Sequence, residues 1–178
     1  CLVESRAKVL LCRQWSGYRW TSPPLRSAVD VMKILVVDDH PLFADGLREV
    51  LREAPFGPVT VLEAGDVSSA LSIACADPGI ELICLDLHLP DGDGFGLLQA
   101  LQEAGVVIPA IVLSALEDPA AVHRALELGA VGYLSKASKK GELLDAFRKI
   151  QNHGSYVSRH LRRDLTAYRA ASRGDTLG

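Results

Sequence analysis

The chain has 178 residues with a formal net charge of −3 at pH 7, and 48% of its residues are hydrophobic. This length and apolar content leave room for one domain with a proper core and two short appendages. The charge is uneven, because residues 32–153 carry 9 Lys and Arg against 18 Asp and Glu. An acidic domain argues against a nucleic-acid surface there and favours a cation or a basic partner.

Cysteine usage and hydropathy indicate a cytoplasmic protein. The four cysteines have no disulfide or metal-ligand spacing, and Cys75 in a predicted helix and Cys84 in a predicted strand are expected to be small buried thiols. No apolar stretch reaches the roughly 20 residues of a membrane span, and the first residues lack the apolar core of a signal peptide. We therefore expect a reducing compartment and no membrane partner.

Residues 1–31 form a leading segment without sustained helical or strand periodicity. The segment contains both tryptophans, five basic residues and Pro23-Pro24. Met32, the only methionine, stands directly before the first predicted strand. We interpret 1–31 as a non-native or disordered leader outside the fold, with a genuine interaction arm as the alternative.

From Met32 onward, short apolar runs alternate with segments of helical periodicity. The runs predict buried strands at 33–37, 59–63, 81–85, 109–113 and 131–135. Helices are predicted near 41–53, 66–76, 94–104, 119–128 and 139–152, with Asp66 and Ser138 as caps. In the first helix, the apolar stripe is expected to consist of Leu42, Leu47, Val50 and Leu51. Five β-α units predict an α/β fold with a doubly wound, five-stranded parallel sheet and helices on both faces.

Polar residues follow four of these apolar runs at the point where each strand ends. They are Asp38-Asp39, Asp86, Ser114 and Lys136. Because the carboxyl ends of parallel strands share one edge of a sheet, these side chains are expected to converge.

Such a cluster is suited to phosphoryl transfer. Three carboxylates need a compensating cation, and Mg²⁺ prefers oxygen ligands. The Lys136 ammonium and the Ser114 hydroxyl can each meet one phosphoryl oxygen, which leaves Asp86 as the nucleophile. Taken singly, each residue has an ordinary interpretation: the Asp pair and Ser114 as helix caps, and Lys136 as a solvated lysine.

Jointly, these residues resemble the receiver domains of two-component response regulators, over 32–153. The resemblance implies a flavodoxin-like strand order 2-1-3-4-5, with Asp86 as the residue that becomes aspartyl-phosphate. It also implies Mg²⁺ held by Asp38, Asp39 and Asp86, and catalytic roles for Ser114 and Lys136. The partner implied is a sensor histidine kinase, and the chain is no enzyme beyond its own phosphorylation and dephosphorylation.

The loop after Asp86 extends the resemblance. LPDGDG supplies the family's proline and Asp-Gly as Pro90, Asp93 and Gly94. The backbone carbonyl of His88 is implied to complete the Mg²⁺ shell. Its side chain is interpreted first as an exposed loop histidine and second as a group that tunes dephosphorylation.

A switch is also implied by the resemblance. Ser114 would move to meet the phosphate, and Tyr133 would then rotate inward and change the surface of the fourth helix, fifth strand and fifth helix. The alternative for Tyr133 is an ordinary half-buried strand aromatic.

The segments DDHPLFADGLREVL, ALELGAVGYLSK and HGSYVSRHL resemble the NarL/FixJ-type subfamily, in which a LuxR-like helix-turn-helix follows the receiver. We interpret 154–178 as a linker or truncated segment without a complete output domain, and Arg159, Arg162 and Arg163 as solvated. DNA would be bound only through an output domain not present in this chain. A homodimer is left open.

Two other functional classes remain. A phosphorylation-independent interaction module would lack one of the five site residues, and none is missing. A haloacid-dehalogenase-type phosphatase needs a second Asp two residues after its nucleophile. Asp38 is followed at that spacing by His40.

Overall fold

The computed structural model describes residues 31–54 and 57–174. The segment 1–31, which we interpreted as a leader, lies outside the described residues apart from Val31. Among the described helices, none combines the length and the apolar character needed to cross a membrane.

Strands and helices alternate along the described chain. The strands are β1 (Met32–Val37), β2 (Val59–Ala64), β3 (Ile80–Leu85), β4 (His88–Leu89), β5 (Gly92–Asp93), β6 (Ala110–Ser114), β7 (Gly132–Ser135) and β8 (Tyr156–Val157). The helices are α1 (Pro41–Glu53), α2 (Val67–Ala76), α3 (Gly94–Glu103), α4 (Pro119–Glu127), α5 (Lys140–His153) and α6 (Arg159–Gly174).

The main sheet is parallel, in the order β2-β1-β3-β6-β7-β8. Its first five strands have the predicted order 2-1-3-4-5, so the doubly wound, flavodoxin-like fold is confirmed. Three short strands and one helix were not predicted. They are β4 and β5, which form a small antiparallel hairpin, and β8 and α6 in the segment that sequence analysis assigned to a linker.

Local polar contacts explain where the helices begin. Asp66 accepts a hydrogen bond from Ser69 N at 2.7 Å and caps α2, as predicted. The prediction that Ser138 caps α5 is wrong, because the capping position is Lys139 and no side chain accepts a hydrogen bond there.

The strands bury side chains on both faces of the sheet. On one face, Ile34, Val36, Leu82 and Cys84 pack beneath α1 and α5, and alternate strand residues pack beneath α2, α3 and α4 on the other. Burial raises the pKa of the Cys84 thiol to about 12.

Two expectations about burial are wrong. Cys75 is exposed on α2. Leu42 is 89% exposed rather than part of the buried stripe of α1. Leu42 lies in the first turn of its helix, at the carboxyl edge where the sheet beneath it ends. Its exposure therefore places an apolar side chain beside the predicted site.

Candidate functional site

The predicted site residues lie at one edge of the sheet. Asp38 and Asp39 follow β1, Asp86 follows β3, Ser114 ends β6 and Lys136 follows β7. Since β1, β3, β6 and β7 are consecutive neighbours in the sheet, their carboxyl ends bring these residues to one region.

Lys136 connects two of the carboxylates. Its Nζ lies 2.6 Å from Asp86 Oδ2 and 2.7 Å from Asp38 Oδ2. Asp86 and Asp38 are only 3% and 9% exposed. Phe43 lies 4.7 Å from the ammonium, measured to its ring centroid, and so helps to hold the lysine. Sequence analysis did not identify this ring, because nothing in the spacing of α1 relates it to a lysine 93 positions later.

The charges of the site are incompletely compensated by the chain. The cluster holds three carboxylates, of which the Lys136 ammonium contacts two, and Asp86 Oδ1 is buried without a hydrogen-bond partner among the described residues. A buried, unpaired carboxylate oxygen is costly. The geometry therefore provides an acceptor atom for a cation or a transferred group.

The donor set fits a hard divalent cation. Ligand atoms of Asp38, Asp39, His40 and Asp86 all lie within 4.8 Å of one another. Both carboxylate oxygens of Asp38 already have partners within the chain. One pairs with Lys136, and the other accepts a hydrogen bond from His40 N at 2.9 Å. Asp39 is the more exposed of the two acids, and its Oδ1 lies 2.7 Å from His40 Nδ1. Asp39 is thus the acid more open to direct contact with an ion.

The loop after Asp86 depends on a glycine. A Cβ atom at Gly94 would stand 2.5 Å from the Asp86 carbonyl oxygen and 3.0 Å from Leu87 Cα. Gly94 N donates a hydrogen bond to Leu87 O at 3.0 Å, which folds the loop back on the end of β3. Any larger residue would therefore shift the backbone that carries Asp86.

Asp91, at the turn of the β4–β5 hairpin, ties this loop to α2. Its carboxylate accepts hydrogen bonds from Val67 N at 2.7 Å and from Ser68 N and Oγ at 3.0 and 2.8 Å. These bonds, above all that of Val67, lower the pKa of Asp91. Asp91 is therefore an anchor of the loop.

The site opens into a pocket of about 530 Å³. The exposed side chain of His88 stands on its wall, as the first interpretation of that residue expected. The lining residues are His40, Leu42, Phe43, Asp86, His88, Ala115 and Lys136. Apolar Leu42 and Phe43 thus flank a charged floor, an arrangement suited to docking another protein over the Asp86 carboxylate.

Ser114 and Tyr133 are joined by one loop. Ser114 Oγ accepts a hydrogen bond from Leu116 N at 3.1 Å, and the Tyr133 hydroxyl donates to Leu116 O at 2.6 Å. Tyr133 is fully buried, and burial raises the pKa of its hydroxyl to about 12. The ring therefore occupies the inward position, which the family resemblance associates with the phosphorylated state.

Comparison with known protein families matches residues 34–148 to the family model of the response regulator receiver domain. The chain belongs to this family. It is 38% identical over 116 residues to the nitrate/nitrite response regulator protein NarP of Escherichia coli, an alignment covering 65% of this chain and 53% of NarP. The chain spans about half the length of such curated relatives.

Solved structures show the same relationship. A LuxR-family two-component response regulator from Aurantimonas sp. SI85-9A1 superposes with a TM-score of 0.68 at 26% identity, over 79% of this chain and 99% of that chain. A response regulator from Burkholderia pseudomallei was solved with a phosphorylated aspartic acid, a calcium ion and citrate. It superposes with a TM-score of 0.57 at 29% identity, over 68% of this chain and 69% of that chain. The chain is thus a receiver domain of a two-component system, related to transcriptional regulators.

Proposed function

We propose that this receiver takes a phosphoryl group from a phosphohistidine of a sensor histidine kinase onto Asp86 and thereby switches its interaction surface. The observation that carries the proposal is the state of the Asp86 carboxylate. One oxygen is held by Lys136 and the other is buried without a partner. The Burkholderia relative, with its phosphorylated aspartic acid, supports the same chemistry.

Each neighbouring residue has a role that follows from its position. Asp86 Oδ1 attacks phosphorus, the P–N bond breaks, and its electron pair leaves with the donor imidazole. The Lys136 ammonium lies 2.6 Å from the other carboxylate oxygen, so it keeps the nucleophile oriented and is close enough to meet a phosphoryl oxygen. Ser114, whose Oγ now accepts from Leu116 N, would donate to a second oxygen.

Mg²⁺ is the cofactor proposed for the acidic cluster. Asp38, Asp39, Asp86 and the backbone carbonyl of His88 would hold it. When bound, the ion would neutralise the carboxylates and one phosphoryl oxygen.

The wider role is proposed from the relatives. NarP is a nitrate/nitrite response regulator, and the Aurantimonas protein is a LuxR-family regulator. We propose that 32–153 is the receiver of a cytoplasmic transcriptional regulator, with DNA bound by an output domain rather than by the receiver and with homodimerisation as a further property. Beyond its own phosphorylation and dephosphorylation, the receiver would catalyse no reaction.

Intact mass after incubation with acetyl phosphate and Mg²⁺ tests the proposal. The chain should gain one phosphoryl group, and the Asp86→Asn variant should gain none. Asp91→Asn is the matched control, because it removes a carboxylate from the same loop that contacts α2 rather than Lys136.

An unmodified wild-type chain would contradict phosphoryl transfer and would favour a receiver-like module that interacts without phosphate. A phosphoryl group that persists in Asp86→Asn would place the acceptor elsewhere.

A further inference from the structure

The segment after α5 adds to the face of the domain that carries Tyr133. Tyr156 N donates to Val131 O and Ser158 N donates to Tyr133 O, both at 3.0 Å, so β8 continues the sheet beside β7. Helix α6 then packs against α4. We refer to β8 and α6 together as the C-terminal latch.

Apolar packing holds the latch in place. Leu161 and Leu165 of α6 are 1% and 5% exposed, and they belong to the same core cluster as Tyr133 and as Val122 of α4. Val157 of β8 packs against that cluster. The buried position of the Tyr133 ring and the docking of α6 therefore contribute to one continuous apolar cluster.

The loop between β6 and α4 connects this cluster to the Asp86 pocket. Leu116 N donates to Ser114 Oγ, and Leu116 O accepts from the Tyr133 hydroxyl. The next residue, Glu117, lies 3.4 Å from His160 Nε2 of α6. One short loop thus contacts the hydroxyl proposed to meet phosphate, the switch aromatic and the latch.

The contacts of the latch favour the inward position of Tyr133. Because β8 pairs with β7 at Tyr133 and α6 covers the adjoining cluster, an outward ring would separate apolar surfaces that are now buried together. Movement of Ser114 toward a phosphoryl group would favour the same inward ring, by vacating space beside β6.

We propose that docking of the C-terminal latch and phosphorylation of Asp86 stabilise the same inward state of Tyr133, so that each strengthens the other. This rests on the proposed function. Two ligands that favour one state of a two-state element are positively coupled, and the coupling is reciprocal. A docked latch therefore raises the affinity of the pocket for phosphate, and phosphate lowers the fraction of undocked latch.

Amide hydrogen exchange of α6 in the full chain tests the coupling. Exchange is measured with Mg²⁺ alone and with Mg²⁺ plus beryllofluoride as the phosphate mimic, and binding of the mimic is followed by NMR at Asp86. The mimic should slow exchange of the Leu161 and Leu165 amides about fivefold or more, the lower range of allosteric coupling. Asp86→Asn should abolish the slowing.

Reciprocity gives the second measurement. Leu165→Ala should weaken beryllofluoride binding by a factor comparable to the slowing in the wild type, and it should shift the NMR signals of Tyr133 and Leu116. Arg163→Ala is the control, because Arg163 is exposed on the same helix. Tyr168→Ala is a milder variant at the rim, where the ring stacks near His123 at 5.7 Å, in case Leu165→Ala unfolds the domain.

The outcomes separate the two proposals. Binding of the mimic without slower exchange in α6 would overturn the latch and leave phosphoryl transfer standing. No binding of the mimic would count against the proposed function. The NMR spectra of Leu165→Ala and Tyr168→Ala would then test whether the latch acts on Tyr133. Unchanged Tyr133 and Leu116 signals in both variants would overturn the proposal.

Discussion

The Asp86 pocket holds three carboxylates against one lysine and leaves a buried oxygen without a partner, whereas the neighbouring face of β7, β8 and α6 is apolar and closed. The two regions share the loop that contains Leu116. The difference indicates that the pocket carries uncompensated charge that a ligand would satisfy, while the adjoining face contributes stability. Such a division is expected where a binding site is paired with a rigid support.

The largest effect is expected on the closed face. Leu161→Ala removes a side chain that is 1% exposed, and it should lower the free energy of unfolding by about 2–5 kcal/mol. Urea denaturation measures the loss, with Arg163→Ala as the control. A loss no greater than that of the control, about 0.5 kcal/mol for an exposed site, would show that α6 adds nothing to the core.

A substitution in the pocket should reduce the affinity for a ligand. Asp39→Ala should weaken Mg²⁺ binding about tenfold or more, which corresponds to about 1.4 kcal/mol. Isothermal titration measures the affinity. Asp45→Ala is the control, because Asp45 lies in α1, six residues from Asp39, but pairs with Arg48. Equal affinities for Asp39→Ala and the wild type would remove Asp39 from the cation site.

Removing a charge from the pocket should raise the free energy of unfolding, whereas Leu161→Ala should lower it. Asp86→Asn reduces the repulsion among the carboxylates and leaves Asp38 to pair with Lys136. We expect the free energy of unfolding in EDTA to rise by about 1 kcal/mol, because a carboxylate whose Oδ1 is buried without a partner is replaced by a neutral amide. A clear decrease would show that the Asp86–Lys136 pair stabilises the fold more than the cluster destabilises it.

The smallest predicted effect is on the pH at which the Tyr133 hydroxyl ionises. Tyr133 should ionise near pH 12, because burial disfavours the phenolate. Its pKa is raised above the unfolded value of about 10. The stability linked to Tyr133 is therefore fully present below pH 10 and is lost as the pH rises toward 12. Absorbance at high pH should show this component in the wild type and lose it in Tyr133→Phe.

The sequence was sufficient to predict the five main strands and the convergence of polar side chains at their carboxyl ends, because long apolar runs and strand-end polar residues are strong signals. The order of the strands was implied only by the resemblance to receiver domains. The sequence did not reveal β8, which has two residues and no periodicity. Helix α6 could have been found, since Leu161, Leu165 and Tyr168 recur at helical spacing. Its high content of charged residues concealed that stripe.

Other features of the site depend on tertiary contacts that spacing does not encode. The Phe43 ring reaches Lys136 only because β1 and β7 end at the same edge. The Leu42 side chain matches a helical stripe but is exposed and lines the pocket. Tyr133 shares its core cluster with Leu161 and Leu165, which lie in a segment that sequence analysis left outside the domain.

The most direct test of the account locates the phosphoryl group itself. Borohydride reduces an aspartyl-phosphate to homoserine, so peptide mapping after acetyl phosphate treatment identifies the modified position. We predict homoserine at position 86 and unmodified aspartates at 38, 39 and 91. Homoserine at any of those three positions instead, or at none, would contradict the assignment of Asp86 as the phosphoryl acceptor.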